Sequence, residues 1–492
     1  MTQIENNSSQ DNDSSSQPEQ IAESTSITQH SIDLNGKELN YTVTTGTIIL
    51  KEEDIESGEK QKASIFYIAY TKDNELSPER PITFSFNGGP GSSSVWLHLG
   101  LAGPKRVLMG QDGEPIGPPY QLIDNEFTLL KETDLVFIDP VSTGYSRTVP
   151  KEKPEQFHDV KKDIESVGEF IRIYATRNKR WASPKFLMGE SYGTTRAAGL
   201  AGYLHKRHGM YLNGIILISS ILNFLTARFD EGNDLPYILF LPTYTATAWY
   251  HGQLAGDLQA DLDNAIKEAC EFALNDYTLA LIKGNVLDEN DKEIIITKLS
   301  RLTGLSFDYI VGSNLRIRID RFCKELLRNS GHTIGRLDSR YKGFDIDRVG
   351  EKFEFDPSYA ATLGPYTATM YDYIRNDLGY ETDLPYEILK SLYQTWKFDV
   401  YQNQYVNTAH DLRQAFQLQP GLKVIVCNGY FDLATPFLAT EYTFNHISLP
   451  KAQQENVKMT YYQAGHMMYL HIPSLTQLSK DLLQFIVDSS LI

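Results

Sequence analysis

Four short apolar runs constrain the fold of this chain more than any other feature. Longer stretches separate the runs, which lie at residues 82–86, 135–138, 186–188 and 215–218. Apolar residues at successive positions are typical of strands that are buried on both faces of a sheet. Helical periodicity fills several of the intervals, notably residues 155–176 and 194–206. This alternation predicts an α/β protein with a central, mostly parallel sheet.

The same pattern predicts where the sheet is interrupted. Two longer strands precede the apolar runs and two short strands follow them, at residues 41–50, 64–70, 424–427 and 457–462. Between residues 223 and 399 the alternation stops, and the sequence becomes rich in tyrosine with helical stretches. We therefore predict a core of residues 31–222 and 400–492, with a largely helical cap inserted at residues 223–399.

Composition narrows the class of protein. Of the 492 residues, 41% are hydrophobic and 22% are charged, as in ordinary globular chains. The formal net charge of -17 repels nucleic acid phosphates and anionic membrane surfaces, so neither is an expected partner.

Residues 1–30 are rich in serine and glutamine and contain no lysine, arginine or aromatic residue. This segment is predicted to be a disordered acidic tail.

The three cysteines predict neither disulfides nor a metal site. Cys270, Cys323 and Cys427 are odd in number, far apart and not arranged in CxxC pairs, so we interpret them as buried thiols. No cofactor or metal is expected. The N-terminus lacks the basic and apolar regions of a secretory signal, and no apolar run is long enough to span a membrane. The expected location is therefore the cytoplasm.

A candidate nucleophile lies at the end of one apolar run. Gly189-Glu190-Ser191-Tyr192-Gly193 follows the run at residues 186–188 and precedes a helical stretch. This is the strand, turn and helix context of the G-x-S-x-G motif, in which small flanking residues permit a sharp turn that exposes the serine hydroxyl. The pattern therefore predicts that Ser191 is a nucleophile.

A serine nucleophile needs a base, and the base needs an orienting acid. Asp432 and His466 each follow a late predicted strand, in the chain order that this motif requires after Ser191. Two alternatives stay open at this point. His471 lies just beyond His466, and Asp139 also ends a strand but precedes Ser191 in the chain.

A glycine-rich loop supplies candidate hydrogen-bond donors for a developing oxyanion. Residues 87–94, Asn-Gly-Gly-Pro-Gly-Ser-Ser-Ser, follow the apolar run at residues 82–86. Their glycines allow the backbone to approach a ligand closely. The loop matches neither phosphate-binding pattern, because it has no Gly-Lys-Ser/Thr and no G-x-G-x-x-G sequence.

Together these segments resemble the serine carboxypeptidase family. The resemblance rests on five motifs in order, at residues 87–94, 139–146 and 189–193, around Asp432, and at residues 465–467. It implies the α/β-hydrolase fold with a helical cap and a triad of Ser191, Asp432 and His466. It also implies an oxyanion hole from the backbone N–H groups of Gly89 and Tyr192, and recognition of a peptide's terminal carboxylate by Asn87, Gly88 and Glu190.

The resemblance predicts a raised pKa for Glu190, and this chain departs from the family pattern at two positions. A buried Glu190 must be protonated to donate a hydrogen bond to a carboxylate, so we expect its pKa to be raised. Family members usually have a cysteine where this chain has Ser92, and a second acidic residue near the position of Leu101. Tyr145 and Met467 are candidate residues of the substrate pocket.

The leading hypothesis is a serine carboxypeptidase that releases C-terminal residues of peptide substrates through an acyl-enzyme on Ser191. An esterase or acyltransferase on the same scaffold is the first alternative. An inactive binding or scaffold protein is the second. The sequence leaves open whether the chain forms a homodimer.

Overall fold

The computed structural model describes residues 21–55, 58–75 and 79–490. In chain order the strands are β1 Thr25–Asp33, β2 Glu38–Asp54, β3 Gly58–Lys72, β4 Ile82–Phe86, β5 Lys105–Val107, β6 Leu122–Asp124, β7 Asp134–Ile138, β8 Arg147–Thr148, β9 Lys185–Ser191, β10 Gly214–Ser220, β11 His332–Ile334, β12 Lys342–Phe344, β13 Lys423–Gly429 and β14 Val457–Tyr462.

The helices are α1 Val95–Leu97, α2 Val160–Arg177, α3 Tyr192–His208, α4 Leu235–Tyr250, α5 Gly256–Gln259, α6 Leu262–Phe272, α7 Thr278–Lys283, α8 Glu289–Thr303, α9 Phe307–Gly312, α10 Ile319–Glu325, α11 Pro357–Asp372, α12 Ala409–Leu418, α13 Phe437–Asn445, α14 Lys451–Gln454 and α15 Ile472–Ser490. Within the described ranges, no helix is both long and apolar enough to cross a bilayer.

One large sheet organises the molecule, in the order β1-β2-β3-β7-β4-β9-β10-β13-β14, with β8 beside β3. Strands β1, β2, β3 and β7 pair antiparallel, and every pairing from β7 to β14 is parallel. The prediction of a mostly parallel central sheet with an antiparallel entry is therefore confirmed.

The apolar runs form the centre of this sheet because both of its faces are covered. Along β10, Ile216 and Ile218 pack into one hydrophobic cluster, while Ile215 and Leu217 pack into the cluster on the opposite face. Apolar side chains of α2, α3 and α12 complete the second cluster, and those of α11 and α15 complete the first. Continuous apolar sequence is thus the result of burial on both faces.

The prediction of a disordered tail at residues 1–30 is wrong for its last residues. Residues 25–30 belong to β1, which pairs antiparallel with β2 from Thr25 opposite Gly46 to Asp33 opposite Glu38. Exposed and partly buried side chains alternate along β1, as expected of an edge strand, and its hydrogen bonds to β2 compensate for its limited apolar burial. Residues 21–24 are also described and lead into β1, whereas residues 1–20 of the predicted tail lie outside the described residues.

Residues 223–399 form two parts instead of one cap. Helices α4 to α10 pack around a further hydrophobic cluster, to which residues between 431 and 439 of the core also contribute. Helix α11 instead packs Tyr366 and Met370 into the cluster on one face of the sheet. The predicted boundary at residue 399 also falls inside a short 3₁₀ helix, Asp399–Tyr401, and therefore does not separate two units. The loss of strand and helix alternation in the sequence indicates where the insertion starts, but it does not reveal which parts of the insertion pack with the core.

The three cysteines are free thiols, of which Cys323 and Cys427 are buried and Cys270 is half-buried. In the described part of the chain, no group of three His, Cys, Asp or Glu residues is arranged to hold a metal ion.

Candidate active site

The candidate site lies at the carboxyl ends of the parallel strands of the sheet. The segments that follow β4, β9 and β14 meet there around a cavity of about 310 Å³, lined among others by Asn87, Gly88, Gly89, Glu190, Ser191, His466 and Met467. Ligands bind at this edge of open α/β sheets because the strand-to-helix loops converge there. The fold therefore brings together most of the site residues that the sequence predicted.

Ser191 occupies a strained turn between β9 and α3. Its backbone angles, φ 60° and ψ -129°, lie in a region that side-chain-bearing residues rarely adopt. The turn requires its flanking glycines. A Cβ on Gly189 would lie 2.2 Å from the Gly193 carbonyl oxygen, and one on Gly193 would lie 2.8 Å from the Phe86 oxygen. The structure thus has the geometry of a nucleophile elbow.

His466 and Asp432 form a buried pair behind the cavity. His466 Nδ1 donates to Asp432 Oδ2 at 2.8 Å, and the aspartate is fully buried. Asp432 also accepts hydrogen bonds from the backbone N–H groups of Ala434 and Thr435 and from the Thr435 hydroxyl. Burial alone would lower the pKa of His466, but the charge of Asp432 and its hydrogen bond outweigh burial and raise it. This arrangement suits a general base whose Nε2 is free to accept a proton.

The two alternatives to this pair lie in other settings. His471 is not among the residues that line the cavity, and its Nδ1 is 2.8 Å from the Ser474 hydroxyl at the start of α15. Asp139 accepts hydrogen bonds from the backbone N–H and the hydroxyl of Ser94, both at 2.8 Å. Burial raises the pKa of Asp139 to about 6. Asp139 therefore supports the glycine-rich loop and does not orient a base.

The glycine-rich loop packs directly on the N-terminus of α3. A Cβ on Gly88 would lie 2.4 Å from the Tyr192 backbone nitrogen, and Gly89 has a φ of 103°. Gly88 and Gly89 line the cavity beside Ser191. The oxyanion hole at Gly89 and Tyr192 stays a prediction. Donors at a helix N-terminus also favour negative charge.

A buried ion pair that the sequence reasoning missed holds this loop from behind. Arg196, on α3 and 1% exposed, donates from Nη1 to the Asn87 carbonyl oxygen at 2.6 Å. Its Nε also contacts the carboxylate of Asp163 on α2 at 2.8 Å. In the sequence, an arginine among the small residues of a predicted helix indicates a buried ion pair, but its partner Asp163 is known only from the fold.

Glu190 is buried at the base of the cavity, with only 3% of its surface exposed. Burial raises its pKa to about 7, against the opposing effects of the nearby His466 and of a hydrogen bond from Tyr469. The Tyr469 hydroxyl donates to Glu190 Oε2 at 2.7 Å. Asn87 Nδ2 lies near enough to lower the pKa of this carboxyl, but it makes no hydrogen bond of normal geometry in the described structure. A buried acid and a buried N–H donor therefore face the same space.

Tyr469, and not the residue at position 101, contacts the carboxyl group of Glu190. Leu101 is fully buried in the hydrophobic cluster beneath the site and cannot interact with Glu190 through a proton. The ring of Tyr469 instead packs over Gly100, where a Cβ would lie 2.4 Å from its Cε2 atom. The only sequence signal was a tyrosine that follows His466 by one short turn, which is too weak to identify a partner for Glu190.

Replacing Tyr469 with phenylalanine is expected to raise the pKa of Glu190 further, because the lost hydrogen bond stabilises the carboxylate form. The pH above which hydrolysis of a substrate with a free terminal carboxylate declines should move upward by about one unit. A pH profile of kcat/KM measures this shift, and Tyr393→Phe at the exposed rim of the cavity is a matched control. An unmoved profile would contradict the role of Tyr469.

The two predicted pocket residues have different positions. Met467 lines the cavity next to His466. The prediction for Tyr145 is wrong, because its ring is buried at 5% exposure against Phe66 and Tyr386, with ring centres 5.1 and 5.0 Å away. Ser92 does line the cavity, and its hydroxyl accepts a hydrogen bond from the Trp96 indole at 2.9 Å.

Comparison with curated proteins finds carboxypeptidases. The pheromone-processing carboxypeptidase KEX1 of Saccharomyces cerevisiae is 35% identical over 157 residues, which are 30% of this chain and 20% of that protein. Serine carboxypeptidase-like 33 of Arabidopsis thaliana is 22% identical over 224 residues, which are 44% of this chain and 42% of that protein. The matches thus span less than half the length of these relatives.

Comparison with solved structures finds hydrolases at low identity. A soluble variant of monoglyceride lipase from Saccharomyces cerevisiae has 11% identity and a TM-score of 0.38, covering 91% of this chain and 96% of that chain. Proline iminopeptidase from Mycobacterium smegmatis has 13% identity and a TM-score of 0.36, covering 90% and 99%.

A family model matches most of the chain. The model described as serine carboxypeptidase matches residues 54–478, a range that contains β4, β9, β13 and β14 and every predicted site residue. The match agrees with the parallel sheet and confirms the α/β-hydrolase fold that the resemblance implied. The chain belongs to the serine carboxypeptidase family.

Proposed function

We propose that this protein is a serine-type carboxypeptidase, which hydrolyses the last peptide bond of a substrate through an acyl-enzyme on Ser191. The observation that carries the proposal is the buried Glu190 beside the unpaired N–H of Asn87, in the cavity that also contains Ser191 and His466. A peptide's terminal carboxylate requires donors at this place, next to the nucleophile.

The geometry supports a two-step acyl transfer. Ser191 Oγ attacks the carbonyl carbon while His466 Nε2 takes its proton, and Asp432 stabilises the resulting imidazolium. The backbone N–H groups of Gly89 and Tyr192 would bind the oxyanion. His466 then gives its proton to the nitrogen of the leaving amino acid. In the second step His466 takes a proton from the water that attacks the acyl-enzyme, and it then gives this proton to Ser191 Oγ as the acyl group leaves.

Carboxylate recognition requires Glu190 in its neutral form. Two ionised carboxylates at hydrogen-bond distance would repel each other, whereas a protonated Glu190 and Asn87 Nδ2 can both donate to the substrate. Glu190 and His466 influence each other's pKa, so their protons form one coupled system. The active form has both groups neutral, because His466 must be able to accept the proton of Ser191.

Glu190→Gln is expected to remove the decline in activity above neutral pH. In the unaltered protein the protonated fraction of Glu190 falls as pH rises through about 7, so kcat/KM for a free-acid substrate should fall up to tenfold per unit above that. Glutamine donates at every pH, so its profile should stay flat on that side. Steady-state hydrolysis of an N-blocked dipeptide between roughly pH 5 and 9 measures the difference.

The same variant assayed on the C-terminal ester of that dipeptide is the control, since an ester lacks the carboxylate that Glu190 would bind. A decline above neutral pH that is equally steep in both proteins would remove Glu190 from this role.

An esterase on the same triad is the second candidate. It is favoured by Leu101, since the second acid of the carboxylate-binding network is missing and a tyrosine stands beside Glu190 instead. The cytoplasmic location stays a prediction, and a homodimer stays an open possibility.

A further inference from the structure

A loop of the insertion lies directly against the two segments that bear the candidate acid and base. This loop, residues 335–341, connects β11 to β12. The backbone N–H of His466 donates to the Leu337 carbonyl oxygen at 2.6 Å, and that of Leu433 donates to the Arg336 oxygen at 3.1 Å. The loop therefore contacts both ends of the pair that His466 forms with Asp432.

Asp338 in this loop adds a charged contact. It is 2% exposed and forms an ion pair with Arg340, whose Nη2 and Nε donate to the two carboxylate oxygens at 2.7 and 3.0 Å. Asp338 Oδ2 also accepts the backbone N–H of Gly465 at 3.1 Å. A Cβ on Gly465 would lie 2.4 Å from Asp338 Cβ and Cγ, so the two residues are in close contact.

The position of the His466 ring depends on this short segment. The His466 carbonyl oxygen accepts from the Ser219 hydroxyl at 2.6 Å, its N–H is held by Leu337, and the preceding N–H is held by Asp338. A buried ion pair contributes little net stability compared with apolar residues of similar volume. A displacement of a catalytic group by about 1 Å, by contrast, costs roughly 10²-fold in rate.

We propose that Asp338, fixed by Arg340, is a positioning residue for the base His466, so that the insertion holds one member of the catalytic triad in place. The proposal rests on the proposed function, because it requires His466 to act as a base. It predicts that loss of Asp338 slows the chemical step without weakening binding of the substrate carboxylate, since Asn87 and Glu190 make no described hydrogen bond with Asp338.

The insertion offers a matched control. Lys324 and Asp345 form a second buried ion pair at 2.5 Å, and both side chains are 3% exposed, compared with 5% for Arg340 and 3% for Asp338. No described hydrogen bond joins this second pair to the segments around Asp432 or His466. A purely structural role would make the two pairs equivalent.

The test compares Asp338→Asn with Asp345→Asn in the full chain. The inactivation rate with a fluorophosphonate and kcat for an N-blocked dipeptide ester should each fall roughly 10²-fold in Asp338→Asn. The inhibition constant of an N-blocked amino acid should stay within about twofold. Asp345→Asn should stay within about threefold of the unaltered protein in all three, whatever its change in thermal midpoint. Equal losses in both variants would overturn the proposal.

A double variant separates position from stability if Asp338→Asn fails to fold. Asp338→Leu with Arg340→Met replaces the ion pair by apolar residues, which preserves stability in many proteins but leaves the Gly465 N–H without its acceptor. The proposal predicts a folded protein that is labelled roughly 10²-fold more slowly. A folded double variant labelled at the normal rate would overturn the positioning role alone, whereas failure to label the unaltered protein would overturn the proposed function as well.

Discussion

Ser191→Ala is expected to abolish covalent labelling by a fluorophosphonate and to lower kcat by about 10⁶-fold, the size of effect found when the nucleophile of a serine triad is removed. Ser191 lies at φ 60° at the edge of the cavity, beside the glycine-rich loop and His466. Alanine keeps the Cβ and the backbone of this turn, so the variant should fold. It removes only the oxygen that attacks the substrate.

The control for this prediction is Ser330→Ala, which alters an exposed serine in the insertion and should leave labelling unchanged. Circular dichroism of Ser191→Ala establishes that the fold is intact. Labelling that persists in a folded Ser191→Ala protein would show that another residue is the nucleophile.

Asp432→Asn is expected to lower kcat by about 10⁴-fold while leaving the fold intact, as in serine proteases where an asparagine fixes the wrong histidine tautomer. The carboxylate accepts from His466 Nδ1 and also from Ala434 and Thr435, so Nε2 of the histidine stays unprotonated. Asparagine can instead donate to Nδ1, which places the proton on Nε2, where the base must be free.

The sign of a second effect follows from the pKa of His466. Because Asp432 raises that pKa, its loss should lower it, and the residual activity should begin to rise at a lower pH than in the unaltered protein. If the residual activity of Asp432→Asn rises at the same pH as the activity of the unaltered protein, the pairing of Asp432 with His466 would be contradicted.

His466→Ala should be as inactive as Ser191→Ala, and His471→Ala is the matched control that should retain activity within a few-fold.

Some of this site could be predicted from sequence because its chemistry lies in short, contiguous motifs. The turn at Ser191, the loop at residues 87–94 and the positions of Asp432 and His466 after strands are all local patterns, and a parallel sheet places their ends together. The fold class was predictable for the same reason, since strands buried on both faces are continuous apolar runs.

The missing parts depend on contacts between distant segments. Asp338 precedes Gly465 by more than a hundred residues, and no local pattern links a buried aspartate in the insertion to the base. Tyr469 could be recognised as a partner of Glu190 only once the fold placed its hydroxyl 2.7 Å from Glu190 Oε2. The error at residues 25–30 has a related cause, because composition predicts disorder while the pairing with β2 decides the structure.

The most direct test of the carboxypeptidase activity is to compare hydrolysis of an N-blocked dipeptide with that of its C-terminal amide and ester, across roughly pH 4 to 8, with Ser191→Ala as the blank. If the protein is a carboxypeptidase, the free acid should be cleaved much faster than the amide, and its cleavage should decline as Glu190 ionises near pH 7. Cleavage of the ester alone, or of the amide as fast as the free acid, would contradict a carboxypeptidase that recognises the terminal carboxylate through Glu190 and Asn87.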